Sequence, residues 1–225
     1  MNEGPDDTGA DSLESLYPFL YAEGGDLDAV LQQVRESTVE KALEIVALRE
    51  RMREEYADRL VSCAREMAER FAAGGWLYSF GNGGSATDAQ AATTAFADPA
   101  DGRAPLPGIA LANDVAVLTA LSNDVGFDVV FSRQLDAFGH RDDIALGIST
   151  SGNSANVLRA FEVANRKGML TIGMAGYEGG RMAESDDVAH MFVVPSASVH
   201  RIQEAQTTLY HVLRDLAHEA MSVHA

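Results

Sequence analysis

The stretch Trp76-Leu77-Tyr78-Ser79-Phe80-Gly81-Asn82-Gly83-Gly84-Ser85 decides the reading of this chain. Its first five residues are mostly apolar or aromatic and read as a buried strand. The next five form a glycine-rich turn. The residues after it, Ala86-Thr87-Asp88-Ala89-Gln90-Ala91-Ala92, have a helix-forming composition with no breaker. Strand, glycine turn and helix in that order gather backbone N–H groups and a helix N-terminus in one place, a geometry that holds anions. Glycine lets the backbone approach a ligand closely, and Ser85 offers a helix cap or a hydroxyl donor.

A second turn of the same kind follows Ile144-Ala145-Leu146-Gly147-Ile148. It reads Ser149-Thr150-Ser151-Gly152-Asn153-Ser154 and leads into Ala155-Asn156-Val157-Leu158-Arg159-Ala160-Phe161, whose apolar positions recur at helical spacing. Four hydroxyls at a predicted helix start suit the acceptor oxygens of a phosphate monoester. Taken alone, this segment reads as a Ser/Thr loop that caps a helix. Two such turns at strand carboxyl ends in one α/β pattern point to a ligand site.

Composition agrees. With 225 residues, 46% of them hydrophobic, the chain is long enough to bury one α/β core with a helical extension. A net charge of −17 argues against direct nucleic-acid binding and against an anionic membrane surface. An acidic chain that takes a phosphate monoester must do so locally, with backbone dipoles and a few donors. One cysteine, Cys63, excludes an internal disulfide and a multi-cysteine metal cluster, and its apolar helical setting makes it a structural thiol. Without a signal peptide or a spanning apolar run, a cytoplasmic location is expected.

Residues 1–28 carry eight acidic side chains and no basic one, and read as an acidic, largely disordered tail. Within it, Leu16, Tyr17, Phe19, Leu20 and Tyr21 fit either a partner-docking segment or an apolar turn packed on its own domain. Residues 29–73 read as a helical arm for oligomerisation, either one helix or two joined near Arg49 to Glu54, with an apolar face at Tyr56, Leu60, Cys63, Met67 and Phe71. Such an arm has no core of its own and needs the α/β domain or another copy of the chain. Residues 74–225 alternate strands (76–80, 107–112, 144–148, 169–174, 190–194) with helices (85–96, 114–121, 127–138, 153–166, 180–184, 198–222). That alternation implies a parallel sheet with helices on both faces.

Four motifs, GNGGSxxDAQ, SNDxGF, GISTSGNSANV and RIQE, occur in that order over about residues 30–222. Together they resemble the sugar isomerase (SIS) domain, in its phosphoheptose isomerase branch, which interconverts sedoheptulose 7-phosphate and a heptose 7-phosphate. The resemblance implies a three-layer α/β/α fold with a five-stranded, flavodoxin-like parallel sheet, and a homo-oligomer, first a tetramer, with pockets between subunits. It implies that Asn82, Gly83 and Gly84 line the sugar end of the pocket and Ser85 the phosphate end. Asn123 and Asp124 would bind sugar hydroxyls, and Ser149, Thr150, Ser151 and Ser154 the phosphate. Gln203 and His211 match two zinc-binding positions, and His211 also matches a general acid/base.

The departures bear on activity. Where the zinc enzymes continue DAQHxxxE, this chain has Ala91 and Ala95, which offer no lone pair and no titratable group. Gln206 stands where the family has another histidine, and His200 where many members have Asp. Gln203 and His211 alone are too few donors for a tight zinc site, so no cofactor is expected. Two functions follow. One is an aldose–ketose isomerase, with His211 and Gln203 as the catalytic candidates. The other is a non-catalytic phosphosugar sensor or scaffold, like the SIS proteins that associate with a replication initiator, whose acidic tail would suit a basic protein partner.

Overall fold

The computed structural model describes residues 27–99 and 102–223; residues 1–26 of the expected tail, with the Leu16 to Tyr21 cluster, lie outside the described residues, and its last two residues begin a helix. The chain divides into two compact units at Glu44/Ile45. One helix, α1 (Leu27–Ala72), runs through that boundary without a break. No Gly or Pro interrupts it, so the alternative of two helices with a bend near Arg49 to Glu54 does not hold. In the first unit, Val30, Leu31, Val34, Val39 and Leu43 are exposed.

The second unit contains all the strands. After α1 come β1 (Leu77–Gly81), α2 (Gly84–Ala97), β2 (Gly108–Ala110), α3 (Val115–Asp124), a 3-10 turn (Phe127–Val129) and α4 (Val130–Phe138). Then follow β3 (Ile144–Ser149), α5 (Ala155–Arg166), β4 (Leu170–Gly176), α6 (Gly180–Ala183), β5 (His190–Val194) and α7 (Val199–Val223). The sheet order is β2-β1-β3-β4-β5, every pair parallel. This is the flavodoxin-like order, in which the chain steps from β1 to one side and then back to the other.

The period of two along the strands sorts side chains between two cores. Leu77, Ile144, Leu146, Ile148, Leu170, Ile172 and Met174 join the core that contains Met52, Tyr56, Leu60, Cys63, Met67 and Phe71 of α1. Tyr78, Phe80 and Ala145 join the opposite core with Phe131, Val157 and Phe161. Residues 52–71 share this layer with Ala89, Ala92 and Phe96 of α2 and Ile202, Leu209 and Leu213 of α7, and each fully buried large side chain there contributes roughly 1.5–3 kcal/mol of gross stabilisation. Cys63 is buried in that layer, and burial drives its thiol pKa far above the ordinary value.

Two local expectations need correction. The single helix expected over 127–138 begins as a 3-10 turn, because Gly126, at φ 148, must first be passed. Helix α2 starts one residue earlier than expected, after Gly83 at φ 56, so Ser85 lies buried inside the first turn and does not cap the helix.

Candidate functional site

Strands β1 and β3 are neighbours in register, Gly81 opposite Ile148, and the chain leaves them toward opposite sides of the sheet. The two turns predicted from sequence therefore lie side by side at the switch point of the sheet. Such crevices, outside the carboxyl ends of strands, are where open α/β sheets take ligands.

The β3 turn is built by its own backbone and by the turn that follows β4. Gly152 N donates to Ser149 O at 3.1 Å, Gly176 N to Thr150 O at 2.9 Å and Met182 N to Gly152 O at 3.0 Å. Gly152 has φ 64, and a Cβ there would lie well inside contact distance of the Gly179 carbonyl. The hydroxyls of Ser149 and Ser154 stand 3.1 Å apart, and Ser151 Oγ accepts from Asn153 N at 3.2 Å. Ser154 is the N-cap residue of α5, but its hydroxyl bonds no helix amide. The first amides of a helix have no intrahelical partner. They and the Ser149 and Ser154 hydroxyls suit one anion.

The β1 turn is held from outside. Asn82 and Asn156 exchange two amide hydrogen bonds, each 2.9 Å, which tie the first turn to the start of α5. Asn156 is buried and was not singled out from sequence, although it stands in the quoted GNSANV run. Asn82, expected at the sugar end of the pocket, is held in place by this pair. Across the same turn, Gln203 Nε2 donates to Asp88 Oδ2 at 3.2 Å, and Gly84 leaves the room that brings Gln203 there. Burial raises the Asp88 carboxyl pKa, and the Gln203 bond partly offsets this.

Other expected residues make their contacts within their own elements. Asn123 and Asp124 are exposed at the end of α3 and bond each other at 2.8 Å. His211 lies eight residues beyond Gln203 on α7, half-buried, its ring centroid 4.8 Å from that of Tyr210. Burial and then the Arg214 charge lower its pKa, with Asp215 opposing, so the imidazole is neutral near pH 7. No hydrogen bond among the described residues joins His211, Asn123 or Asp124 to either turn. Gln206 is fully buried, with neither amide atom partnered among the described residues. An unmade bond of this kind costs roughly 1–3 kcal/mol, so Gln206 marks a polar position within an apolar face.

The donor set does not fit the zinc ion that the resemblance implies. Ala91 and Ala95 occupy two of its four positions. Among the described residues, no group of three or more His, Cys, Asp or Glu side chains could hold a metal. No helix among the described residues is long and apolar enough to cross a membrane.

Comparison with known proteins agrees with this geometry. The SIS domain family model matches residues 42–176. A phosphoheptose isomerase of Nitratidesulfovibrio vulgaris (Hildenborough) is 41% identical over 183 residues, 81% of this chain and 87% of that protein. One of Aquifex aeolicus is 45% identical over 166 residues, 73% of this chain and 85% of that protein. Among solved structures, the phosphoheptose isomerase GmhA from Neisseria gonorrhoeae superposes with a TM-score of 0.74 at 34% identity, covering 81% of this chain and 97% of that one. The Francisella tularensis enzyme gives 0.70 at 33%, covering 81% and 98%. This chain belongs to the SIS-domain family, and within it to the phosphoheptose isomerase branch.

Proposed function

We propose that the crevice between the β1 and β3 turns binds a phosphorylated sugar, and that its ligand is a seven-carbon ketose or aldose phosphate. The observation that carries this reading is the pairing of two helix-opening turns on adjacent strands, joined through Asn82 and Asn156. The Ser149–Ser154 turn takes the phosphate: the N-terminus of α5 supplies backbone donors and a positive dipole end, and the serine hydroxyls supply the rest. This local arrangement suits a chain of net charge −17, which has no basic field to spend on an anion.

Interconverting a ketose and an aldose moves a proton between C1 and C2 and another between their oxygens. Both transfers need a positioned acid/base. His211, neutral near pH 7, is the imidazole that the resemblance places at this task, with Gln203 beside the sugar. Ala95 removes the carboxylate that the family uses as its base, and Ala91 removes a further donor. These two alanines favour a second reading, a phosphosugar sensor or scaffold that binds without turnover. We further propose a cytoplasmic homo-oligomer, first a tetramer, with the exposed apolar side chains of residues 30–43 as its supporting feature and light scattering as its check.

Proton NMR of sedoheptulose 7-phosphate with the protein in heavy water separates the readings. Loss of the C1 proton signals, or the appearance of an aldose, without added zinc supports the isomerase. Line broadening of an otherwise unchanged sugar supports the sensor. A spectrum with neither change removes phosphosugar binding altogether. Activity only on addition of zinc would show that a neighbouring subunit completes the metal site.

A further inference from the structure

Tyr177 is the one non-glycine residue among the described residues with a positive φ, 53°. Gly179 N donates to Gly176 O at 2.8 Å, which closes a four-residue turn with Tyr177 in its second position. Glycine or asparagine is the usual occupant of left-handed backbone, and a bulky side chain there is strained. Such strain persists only where the surroundings fix it, and it clusters at functional sites. Here the surroundings are the phosphate turn itself. Gly176 N bonds Thr150 O, Met182 N bonds Gly152 O, and Arg181 N bonds Asn153 Oδ1 at 3.1 Å.

Core packing does not explain the tyrosine. Its residue is 42% exposed, and it belongs to neither hydrophobic core. It forms part of the wall of a cleft of about 590 Å³ on the β4–β5 side of the phosphate turn, with Ser151, Asn153, Glu178 and Ser196. The lining offers one aromatic face, one carboxylate, one amide and two hydroxyls, and no cationic side chain. A second anion would find nothing to neutralise it there, and an apolar ligand would desolvate the Glu178 carboxylate. A sugar satisfies both demands: its C–H face lies on the ring, and its hydroxyls pair with the carboxylate, amide and serines.

We propose that this cleft is a carbohydrate subsite adjoining the phosphate turn, with Tyr177 as its stacking residue. It rests on the phosphate-binding reading above. The sugar comes from one of two sources: the carbohydrate part of the bound phosphosugar, or a second, unphosphorylated sugar. The strain supplies a test that a packing residue fails. Asparagine tolerates the Tyr177 backbone, so Tyr177→Asn relieves strain while removing the ring.

The full chain is titrated calorimetrically with inorganic phosphate, sedoheptulose 7-phosphate and sedoheptulose, as wild type, Tyr177→Asn and Tyr177→Phe. Tyr177→Asn is expected to melt at or above the wild-type temperature and to bind phosphate equally well. If the sugar is part of the phosphosugar, it binds sedoheptulose 7-phosphate about five-fold more weakly. If the sugar is a second molecule, wild type saturated with phosphate takes up free sedoheptulose, and Tyr177→Asn does not. Tyr177→Phe behaves as wild type in either case. Unchanged binding of all three probes by Tyr177→Asn overturns the subsite while leaving the phosphate site standing. So does a melting temperature below wild type, which makes the ring a packing residue. So does a Tyr177→Phe variant as weak as Tyr177→Asn, which assigns recognition to the hydroxyl. If wild type binds neither phosphate nor sedoheptulose 7-phosphate, the phosphate reading fails and the subsite falls with it.

Discussion

The β1 and β3 turns share a strand-turn-helix pattern and are tied to the rest of the fold in different ways. The β3 turn is fixed by main chain: Gly152 presses on Gly179, and bonds from Gly176 and Met182 lock Thr150 and Gly152. The β1 turn has its own main-chain closure, Ser85 N to Asn82 O at 3.0 Å, and its ties to other elements run through side chains, Asn156 of α5 to Asn82 and Gln203 of α7 to Asp88 just beyond it. Backbone-built sites are set before a ligand arrives, so they pay little reorganisation cost on binding an ion. Side-chain-built sites can be retuned residue by residue. The difference teaches how each half answers to substitution: the half proposed to hold the anion is conformationally committed, and the half proposed to hold the sugar is adjustable through α2, α5 and α7.

Breaking the committed half has the largest effect. In Gly152→Ala the new methyl carries a positive φ and drives into the Gly179 carbonyl, and neither backbone can yield without losing the Met182 bond. The expected loss is roughly 3 kcal/mol or more of stability, together with phosphate binding. Chemical denaturation and phosphate titration check it. A variant that folds and binds normally would show that the two turns are not locked together.

Breaking the link between the halves comes next. Asn156→Ala removes one partner of the amide pair and leaves Asn82 without its bonds in a half-buried setting. A cost of about 1–2 kcal/mol follows. Asn82→Ala should cost a similar amount, and the double variant little more than either alone, because the pair is lost once. Additive losses in that cycle would mean that the two asparagines act independently. Weaker sugar-phosphate binding with unchanged inorganic phosphate binding would place the effect on the sugar half.

The sequence carried the committed half well and the adjustable half poorly, for physical reasons. Strand runs such as Ile144–Ile148 and the glycine turns are local signals, and observed β3, Ile144–Ser149, extends that run by one residue. The long apolar face from Tyr56 to Phe71 is likewise periodic within its own helix, and all five of its residues are buried. The Asn82–Asn156 pair joins residues 74 apart, and no pattern within either segment announces it. Of the two readings of Ser85, the helix cap falls because Gly83, at φ 56, opens the helix a residue sooner than composition indicates. Tyr177 gave no sequence signal, because a positive φ at a tyrosine runs against every propensity.

The smallest stability effect comes from Gly84→Ala, and it sharpens the comparison most. Gly84 opens α2 without a positive φ, so alanine there gains helix propensity of up to about 1 kcal/mol. Its methyl would occupy the space of the Gln203 amide, which is the end of a flexible side chain and swings away at little cost. The swing breaks the Gln203–Asp88 bond, and that loss of about 0.5–1.5 kcal/mol offsets the helix gain, so the melting temperature should barely move. With the bond goes the position of Gln203 that the proposed sugar site uses. Sugar-phosphate affinity should then fall while inorganic phosphate affinity holds, with Gly84→Ser behaving alike. An unchanged sugar-phosphate affinity would show that the placement of Gln203 does not matter to the ligand and that the α7 wall only closes the fold.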